Sequence, residues 1–288
     1  MVRSHFPLPE FYYMGFLRKI CKIFIRLLGY DVIRKKYIKF KGWGLISNTY
    51  PPWIGNSKNK TSLGYKNAEN KLIRKLKKKK FYLSQFSYKI KNFEDNLDII
   101  KDLRYRHYYV YYSSLLAFSN TSSKNVVECG VCDGLTIFFC ISLFSKNKNS
   151  KFYLYDSWSA MRAKELIKKN EKKKIGRYDN LDVKNTKNNL IEFKDKIIYN
   201  KGFIPDIFSK ANNPKNISWL HIDLNSSMPT LESLKFFYPK LEENGVILFD
   251  DYGGVGYEKT RNVVENFFKN KKINFLHLPT GQAIVIKK

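Results

Sequence analysis

From residue 125 onward, short runs of β-forming residues alternate with helical stretches, and this alternation constrains the fold more than any other feature of the sequence. Strands that alternate with helices form mainly parallel, doubly wound sheets, because a helix supplies the long crossover that a parallel pair needs. The predicted strands are 126–129, 152–155, 197–199, 219–222, 246–249, 273–276 and 283–286, with helical stretches such as 230–241 and 259–268 between them.

The last two predicted strands are joined by a short turn at residues 279–281, which is too short for a parallel crossover. They are therefore expected to form an antiparallel pair. We predict an α/β fold: a doubly wound, seven-stranded, mainly parallel sheet with an antiparallel last strand. This arrangement resembles the class I methyltransferases, whereas a nicotinamide-binding Rossmann fold does not usually end in this way.

The chain has 288 residues, of which 43% are hydrophobic, so it can bury a sizeable core. We divide it into a basic, partly helical N-terminal extension at 1–100 and the sheet domain at 101–288. Residues 41–70 are rich in Gly, Asn, Ser and Pro and are predicted as loop. Residues 93–118 are predicted as helix, and the long polar segment 157–196 is predicted to be a partly helical lid.

The formal net charge is +28. One interpretation is a polyanionic partner, either nucleic acid or an acidic membrane surface. The other is a codon bias, because the excess is mostly Lys beside abundant Asn, Ile, Tyr and Phe, while Arg, which suits specific phosphate recognition, is scarce. We expect nucleic acid not to be the partner.

Residues 16–36 have apolar positions at helical spacing and basic residues on another face. A basic amphipathic helix of this kind can lie on an anionic membrane, or it can pack on the protein or on a second subunit. We expect a homo-oligomer, located in the cytoplasm or at the inner face of the membrane. The sequence shows no secretory leader and no run of the ~18 apolar residues of a membrane span.

The four cysteines do not indicate a disulfide framework, which also favours a reducing cytoplasm. Cys129 and Cys132 form a CxxC. A single CxxC is weak support for zinc. We interpret both as small residues at a strand end and in a turn.

Residues 125–136, NVVECGVCDGLT, combine an apolar strand, an acid, two glycines and the start of an apolar helix. A strand–turn–helix of this kind is where an α/β enzyme receives a cofactor. The pattern Glu128-x-Gly130-x-x-x-Gly134 is not the GxGxxG of NAD-binding proteins. Asp156 ends the second strand, where an acid can accept hydrogen bonds from the ribose hydroxyls of an adenosine cofactor.

Acidic residues also follow two later strands: Asp223 follows 219–222, and Asp250 and Asp251 follow 246–249. Because these strands are expected to be neighbours, the three carboxylates should converge at one rim. Carboxylates at close quarters repel one another unless they share a cation, and hard oxygen ligands suit Mg²⁺, Ca²⁺ or Mn²⁺. Such an ion can polarise a substrate hydroxyl while a carboxylate takes its proton. The alternative is that these acids cap helices or pair with surface lysines.

Six segments, spread over roughly residues 105–288, carry a family resemblance: VVECGVCDGLT, YLYDSW, NKGFIPDIF, WLHIDLNSSMPTLESLKFFYPKLEENGVILFDDYG, GYEKTRNVVENFF and GQAIVIKK. In this order they resemble the macrocin O-methyltransferase family of class I, S-adenosylmethionine-dependent sugar methyltransferases. The resemblance implies a Mg²⁺-dependent transfer of methyl from S-adenosylmethionine to a sugar hydroxyl, on a surface glycan precursor or a glycosylated metabolite. It makes 101–288 the methyltransferase domain.

The resemblance also implies the site residues. The implied cofactor-binding residues are Glu128, Gly130, Val131, Gly134, Asp156 and Ser157. Glu128 and the two glycines would face the methionine portion, and Asp156 would face the ribose. The implied metal ligands are Asp223, Asp250 and Asp251, and Asp223 would also be the catalytic base.

The sequence departs from the family pattern at two places. Asn225 stands where the family commonly has a second Asp, which weakens the acidic cluster. Cys132 and Asp133 stand where a Trp-Arg pair is usual. The second departure is expected to place a negative charge near the bound methionine.

Two other functions are kept as alternatives. The charge of +28 is compatible with a nucleic-acid methyltransferase. However, base methylation on an exocyclic nitrogen usually shows an Asn/Asp-Pro-Pro-aromatic motif, and this chain has Asp223-Leu-Asn-Ser instead. The other alternative is a non-catalytic protein that binds a membrane surface or nucleic acid on the same scaffold, because a fold alone does not fix function.

Overall fold

A computed structural model of the protein describes residues 60–144, 147–166, 171–254 and 256–288. The predicted basic helix at 16–36, with its predicted membrane or subunit contacts, lies outside the described residues. Within the described ranges, no helix is both long enough and apolar enough to cross a membrane.

The described residues form one seven-stranded sheet with the strand order β3-β2-β1-β4-β5-β7-β6. The strands are β1 (Asn125–Cys129), β2 (Lys151–Asp156), β3 (Ile197–Lys201), β4 (Ile217–Ile222), β5 (Leu241–Phe249), β6 (Ile273–His277) and β7 (Ala283–Lys287). Strands β1 to β5 are parallel, whereas β7 lies between β5 and β6 and is antiparallel to both. The predicted fold class and the antiparallel last strand are confirmed.

Seven α-helices accompany the sheet in the described part of the chain: α1 (Lys60–Lys79), α2 (Phe93–Asp102), α3 (Arg104–Asn120), α4 (Leu135–Phe144), α5 (Val183–Asn189), α6 (Ser227–Phe237) and α7 (Glu258–Phe268). Helices α1 to α4 contribute buried side chains to one apolar layer of the sheet, together with Val126 and Trp219. Helices α6 and α7 contribute to the other layer, together with Val127 and Leu220. Neighbouring residues of each strand thus point to opposite layers, as expected when both faces of a parallel sheet are covered.

The segment before the sheet differs from its prediction in two places. Helix α1 begins at Lys60, so residues 60–70 of the predicted loop are helical. The reason lies further along the helix, where Leu72 and Leu76 are one turn apart and both are buried in the same layer as β1. The stretch predicted as one helix at 93–118 is two helices, which meet at Leu103. The division at residue 100 stays a prediction.

The long segment between β2 and β3 contains α5 and short 3₁₀ turns, so its partly helical character is confirmed. The turn at its start and the stretch 177–181 both face the carboxyl edge of the sheet. This segment therefore forms one wall of the site described next.

Candidate active site at the carboxyl edge of the sheet

A cavity of about 670 Å³ lies at the carboxyl ends of the parallel strands. Its lining includes residues 130–133 after β1, 156–157 after β2, 223–225 after β4 and 250–251 after β5. This is where open α/β sheets bind ligands, and the volume suits a small-molecule site. The predicted cofactor turn and the predicted acidic rim thus line the same cavity.

Backbone hydrogen bonds fix the acids directly beyond their strands. The Asp223 N–H donates to the Cys129 carbonyl at 2.8 Å, and the Asp250 N–H donates to the Ile222 carbonyl at 3.0 Å. Each bond continues the parallel ladder by one step past the strand end. The predicted convergence of Asp223, Asp250 and Asp251 at one rim follows from this register.

The two glycines of the turn have different roles. Gly130 has φ +87°, and a Cβ there would lie 1.9 Å from the carbonyl oxygen of Asp223. It therefore allows the ends of β1 and β4 to meet. Gly134 has φ +85°, and a Cβ there would lie 3.0 Å from Leu190 and 3.1 Å from Thr186. It packs the start of α4 against α5 and is not among the residues that line the cavity.

Asp156 lines the cavity and also shapes the glycine turn. Its Oδ2 accepts the N–H groups of Val131 at 2.7 Å and Cys132 at 2.8 Å, and its Oδ1 accepts that of Trp158 at 2.7 Å. Burial raises the pKa of Asp156, and these backbone donors act against that rise. A carboxylate has about four acceptor sites, so Asp156 retains capacity for a ligand hydroxyl.

Glu128 lies in the core rather than in the cavity lining. The alternation along β1 directs it to the layer beneath α3 and α4, where His221 of the neighbouring strand is its register partner. Oε1 of Glu128 lies 2.9 Å from Nδ1 of His221. Its place in the core thus differs from the predicted contact with the methionine portion.

Arg106, on α3, enters the acidic rim. Its Nε donates to Oδ1 of Asp250 at 2.9 Å, and its Nη2 contacts Oδ2 of the same carboxylate. The same Nη2 lies 3.6 Å from Oδ2 of Asp223. Gln282 adds a further donor to Oδ1 of Asp250 at 2.8 Å. Asp250 is thus held by the Arg106 guanidinium and by the Gln282 amide.

Asn225 connects the remaining groups of the rim. Its backbone N–H donates to Oδ2 of Asp251 at 2.6 Å, and its side-chain Oδ1 accepts the Tyr257 hydroxyl at 2.7 Å. Its Nδ2 lies 3.5 Å from Oδ1 of Asp223 and 3.3 Å from the Tyr178 hydroxyl. The neutral amide therefore offers Asp223 a donor, which the acid usual in the resembled family would not offer when ionised.

Asp223 has an unusual electrostatic environment. Burial and the neighbouring Asp251 carboxylate raise its pKa, and the Arg106 guanidinium acts in the opposite direction. A carboxyl group with a raised pKa accepts and releases protons nearer to neutral pH than an exposed one. Asp223 is therefore suited to take a proton from a group bound in the cavity.

The predicted Mg²⁺ site depends on which ligand atoms of the rim lie close together. Ligand atoms of His221, Asp223 and Asp250 lie within 4.8 Å of one another, and Asp251 is not part of that group. Arg106 places a permanent positive charge on two of these three residues, where it would repel a divalent ion. With Arg106 in this position, these residues do not fit Mg²⁺.

The second departure from the family pattern, at Asp133, has a structural explanation. Its carboxylate is 1% exposed. Oδ1 accepts the Ser84 hydroxyl and, at 2.7 Å, the Asn185 amide, while Oδ2 accepts the Gln85 N–H at 3.0 Å. The carboxylate therefore joins the glycine turn to residues 84–85 and to α5. Asp133 also lines the cavity, and its expected negative charge near the methionine stays a prediction.

The two cysteines of the CxxC occupy the positions that the sequence indicates. Cys129 ends β1 and is buried in the core, whereas Cys132 lies in the turn with φ +54°. Burial raises the pKa of both thiols, which makes them poor metal ligands and nucleophiles.

Residues 127–252 match the profile of a family described as a methyltransferase domain. The strand order, the antiparallel β7 and the site at the carboxyl edge are those of the class I fold. Together they show a methyltransferase domain of the class I fold, with the family match at residues 127–252.

Two solved structures are similar to this chain in fold. The O-methyltransferase NovP has a TM-score of 0.52 at 14% identity, over 64% of this chain and 79% of NovP. The calicheamicin methyltransferase CalS11 has a TM-score of 0.54 at 13% identity, over 76% of this chain and 92% of CalS11. At these identities the likeness establishes the shared fold. A comparison with curated proteins finds no match.

Three residues of the site were not predicted from the sequence. Arg106 lies on α3, where a basic residue in an aromatic-rich helix was the available signal. Tyr178 and Tyr257 come from the lid segment and from the loop before α7. Neither tyrosine stands out among the 20 in the chain, so no sequence signal distinguishes them.

Proposed function

We propose that this chain is an O-methyltransferase of the macrocin type, which methylates a sugar hydroxyl on a surface glycan precursor or a glycosylated metabolite. The observation that carries the proposal is that the glycine turn, Asp156 and Asp223 line one cavity. The segments that resemble the macrocin O-methyltransferase family support a sugar hydroxyl as the acceptor. The description of NovP as an O-methyltransferase is consistent with that acceptor.

The cofactor end of the cavity fits S-adenosylmethionine, which supplies an electrophilic methyl group when it is bound. Gly130 keeps the turn close to β4, and Asp156 holds the turn through the N–H groups of Val131 and Cys132. The remaining acceptor capacity of Asp156, beside Ser157, is available to the ribose hydroxyls. In this proposal Glu128 and Gly134 act indirectly, by fixing the core and the helix behind the turn.

At the acceptor end, the sugar hydroxyl must lose a proton as its oxygen takes the methyl group. We assign the proton to Asp223, whose pKa is raised by burial and by Asp251. The Asn225 amide orients this carboxylate from the side of Oδ1, and Arg106 lies on the side of Oδ2. A general base of this kind contributes typically 10²–10⁴-fold to a reaction rate.

Other parts of the proposal concern the whole chain and are tested independently of the reaction. We propose a cytoplasmic homo-oligomer, with 101–288 as the catalytic domain and 1–100 as a basic extension whose residues 16–36 contact anionic membrane. Flotation with vesicles of 30% phosphatidylglycerol, at low and high salt, tests the membrane contact. Analytical ultracentrifugation tests the oligomer.

A methyl-transfer screen tests the reaction. The full chain is incubated with labelled S-adenosylmethionine and a panel of nucleotide sugars, with RNA as a parallel arm, each with Mg²⁺ and with a chelator. We expect label on a sugar and none on RNA. Label on RNA alone would favour the nucleic-acid alternative. The absence of S-adenosylmethionine binding in calorimetry would overturn the proposal.

Two variants test whether methyl transfer depends on the acidic rim. Asp250→Ala should abolish turnover while S-adenosylmethionine still binds, because Asp250 lies on the acceptor side. Asp206→Ala is the matched control, since that side chain is 53% exposed and lies outside the cavity. Equal loss of activity in both variants would remove the special role of the rim.

A further inference from the structure

Carboxylates gathered at one rim need positive charge or hydrogen-bond donors to be stable. In this chain the side chain of Asp250 is 4% exposed, whereas that of Asp223 is 26% exposed. The group that meets Asp250 is the guanidinium of Arg106. This arginine is either a surface side chain that lies against the rim or a side chain that the fold holds among the carboxylates.

Arg106 contacts Asp250 through its guanidinium. Nε donates to Oδ1 of Asp250 at 2.9 Å, and Nη2 contacts Oδ2 of the same carboxylate. The same Nη2 is 3.6 Å from Asp223, so one cation bridges both strand ends. A guanidinium stays charged at all physiological pH values, so this cation is permanent.

The helix that carries Arg106 is itself fixed. Two turns further along α3, the Ser113 hydroxyl accepts the indole N–H of Trp219 at 3.0 Å, and Trp219 is fully buried in β4. His107, the next residue after Arg106, stacks on Phe139 of α4 with a centroid distance of 3.9 Å. The backbone that presents Arg106 is therefore anchored to both the sheet and the neighbouring helix.

Neutral donors also contact each carboxylate of the rim. Gln282 donates to Asp250, the Asn225 N–H donates to Asp251, and the Asn225 amide approaches Asp223. A divalent ion bound to Asp223 and Asp250 would have to displace the guanidinium from both. The guanidinium and the neutral donors therefore supply the positive charge and the hydrogen bonds that a shared metal ion would otherwise supply to these carboxylates.

We propose that Arg106 is the resident cation of this rim, and that it keeps divalent metal off Asp223 and Asp250. The methyl transfer proposed above then proceeds without metal, with the guanidinium holding Asp223 beside the acceptor. This consequence rests on the proposed function. The exclusion of metal does not, because it can be measured without any acceptor.

Mn²⁺ binding to the full chain, followed by the loss of the free-ion signal in electron paramagnetic resonance, tests the proposal. The wild type should bind no Mn²⁺ that depends on Asp250. Arg106→Gln, which removes the charge and keeps a polar side chain, should create one Mn²⁺ site. The variant should bind Mn²⁺ at least about 100-fold more tightly than the wild type does. Arg106→Gln combined with Asp250→Asn should lose that site again.

Arg162→Gln is the matched control. Arg162 also lines the cavity and pairs with a carboxylate, that of Glu165, but it lies away from the rim. It should create no Mn²⁺ site. Circular dichroism confirms that each variant is folded, and the wild type is compared with Asp250→Asn.

Two results would overturn the proposal. One is a wild-type Mn²⁺ site that disappears in Asp250→Asn, because the arginine would then not exclude metal. The other is a folded Arg106→Gln that binds no more Mn²⁺ than the wild type. In either case the O-methyltransferase proposal stands, since it is tested separately by the labelled-methyl screen.

Discussion

His221 and Glu128 form a buried pair between β4 and β1, with Nδ1 of the histidine 2.9 Å from Oε1 of the glutamate. Both side chains are 1% exposed. Burial raises the pKa of Glu128 and lowers the pKa of His221 to about 3. Both shifts favour the uncharged forms of the two groups, so the pair is a polar contact within the apolar layer.

The raised pKa of Glu128 has a consequence for stability. Between the ordinary value of 4.5 and the raised value, the folded chain keeps a proton that the unfolded chain has released. The stability contributed by this group is therefore complete at low pH and falls as the pH rises, by up to about 1.4 kcal/mol per pH unit. Glu128→Gln has no such proton. The free energy of unfolding of the variant should therefore rise relative to wild type as the pH increases above about 4.5 in urea titrations.

The control for this prediction is Glu94→Gln, which changes an exposed glutamate that pairs with Lys77. It should keep the wild-type pH slope. The lowered pKa of His221 makes stability rise with pH only below about 6.5, so the slopes are compared above that pH. Parallel curves for wild type and Glu128→Gln would contradict the prediction.

Asp156→Asn should weaken S-adenosylmethionine binding by roughly 10- to 100-fold. The Asn amide has the shape of the carboxylate, but one of its two polar atoms is a donor and cannot accept a backbone N–H. A hydrogen bond to a charged group is worth about 1.5–3 kcal/mol. Isothermal calorimetry with the cofactor measures the change. Asp206→Asn, on an exposed side chain, should bind as the wild type does. Equal affinities for Asp156→Asn and wild type would contradict the assigned role.

Asp133→Ala should lower the free energy of unfolding by about 2–4 kcal/mol, because it leaves three buried or half-buried donors without their acceptor. Ser84→Ala removes one of the same contacts and should cost about 1 kcal/mol. Because the two residues share a hydrogen bond, the double variant should lose less than the sum. Strict additivity in urea unfolding would show that Asp133 does not act through Ser84.

The rate of methyl transfer should rise with pH to a plateau as Asp223 loses its proton, because only the carboxylate can accept one from the acceptor. Asp251 is one cause of the raised pKa of Asp223. Asp251→Asn should therefore shift the rising limb to lower pH, and Asp223→Asn should remove activity at every pH. The profiles are measured with a sugar acceptor from the screen. A limb that stays in place in Asp251→Asn would exclude Asp223 as the titrating base.

Patterns along the chain were enough to predict all seven strands, because alternation and turn chemistry are local properties. The same holds for the antiparallel last pair, which a short turn at 279–281 requires. The helix at Lys60–Lys79 was missed in its first half. Gly, Asn and Ser favour loops locally, and packing of Leu72 and Leu76 against the core outweighs that preference.

Sequence by itself determined which acids lie at the carboxyl edge, since a residue that follows a parallel strand must emerge there. Tertiary structure alone decided what each acid meets. Glu128 is directed into the core by its position in β1, and Asp250 meets an arginine that lies 144 residues away in the chain. The physical reason is that hydrogen bonds and charge pairs act over a few ångströms in space, and contacts between distant segments leave no periodic pattern in the sequence.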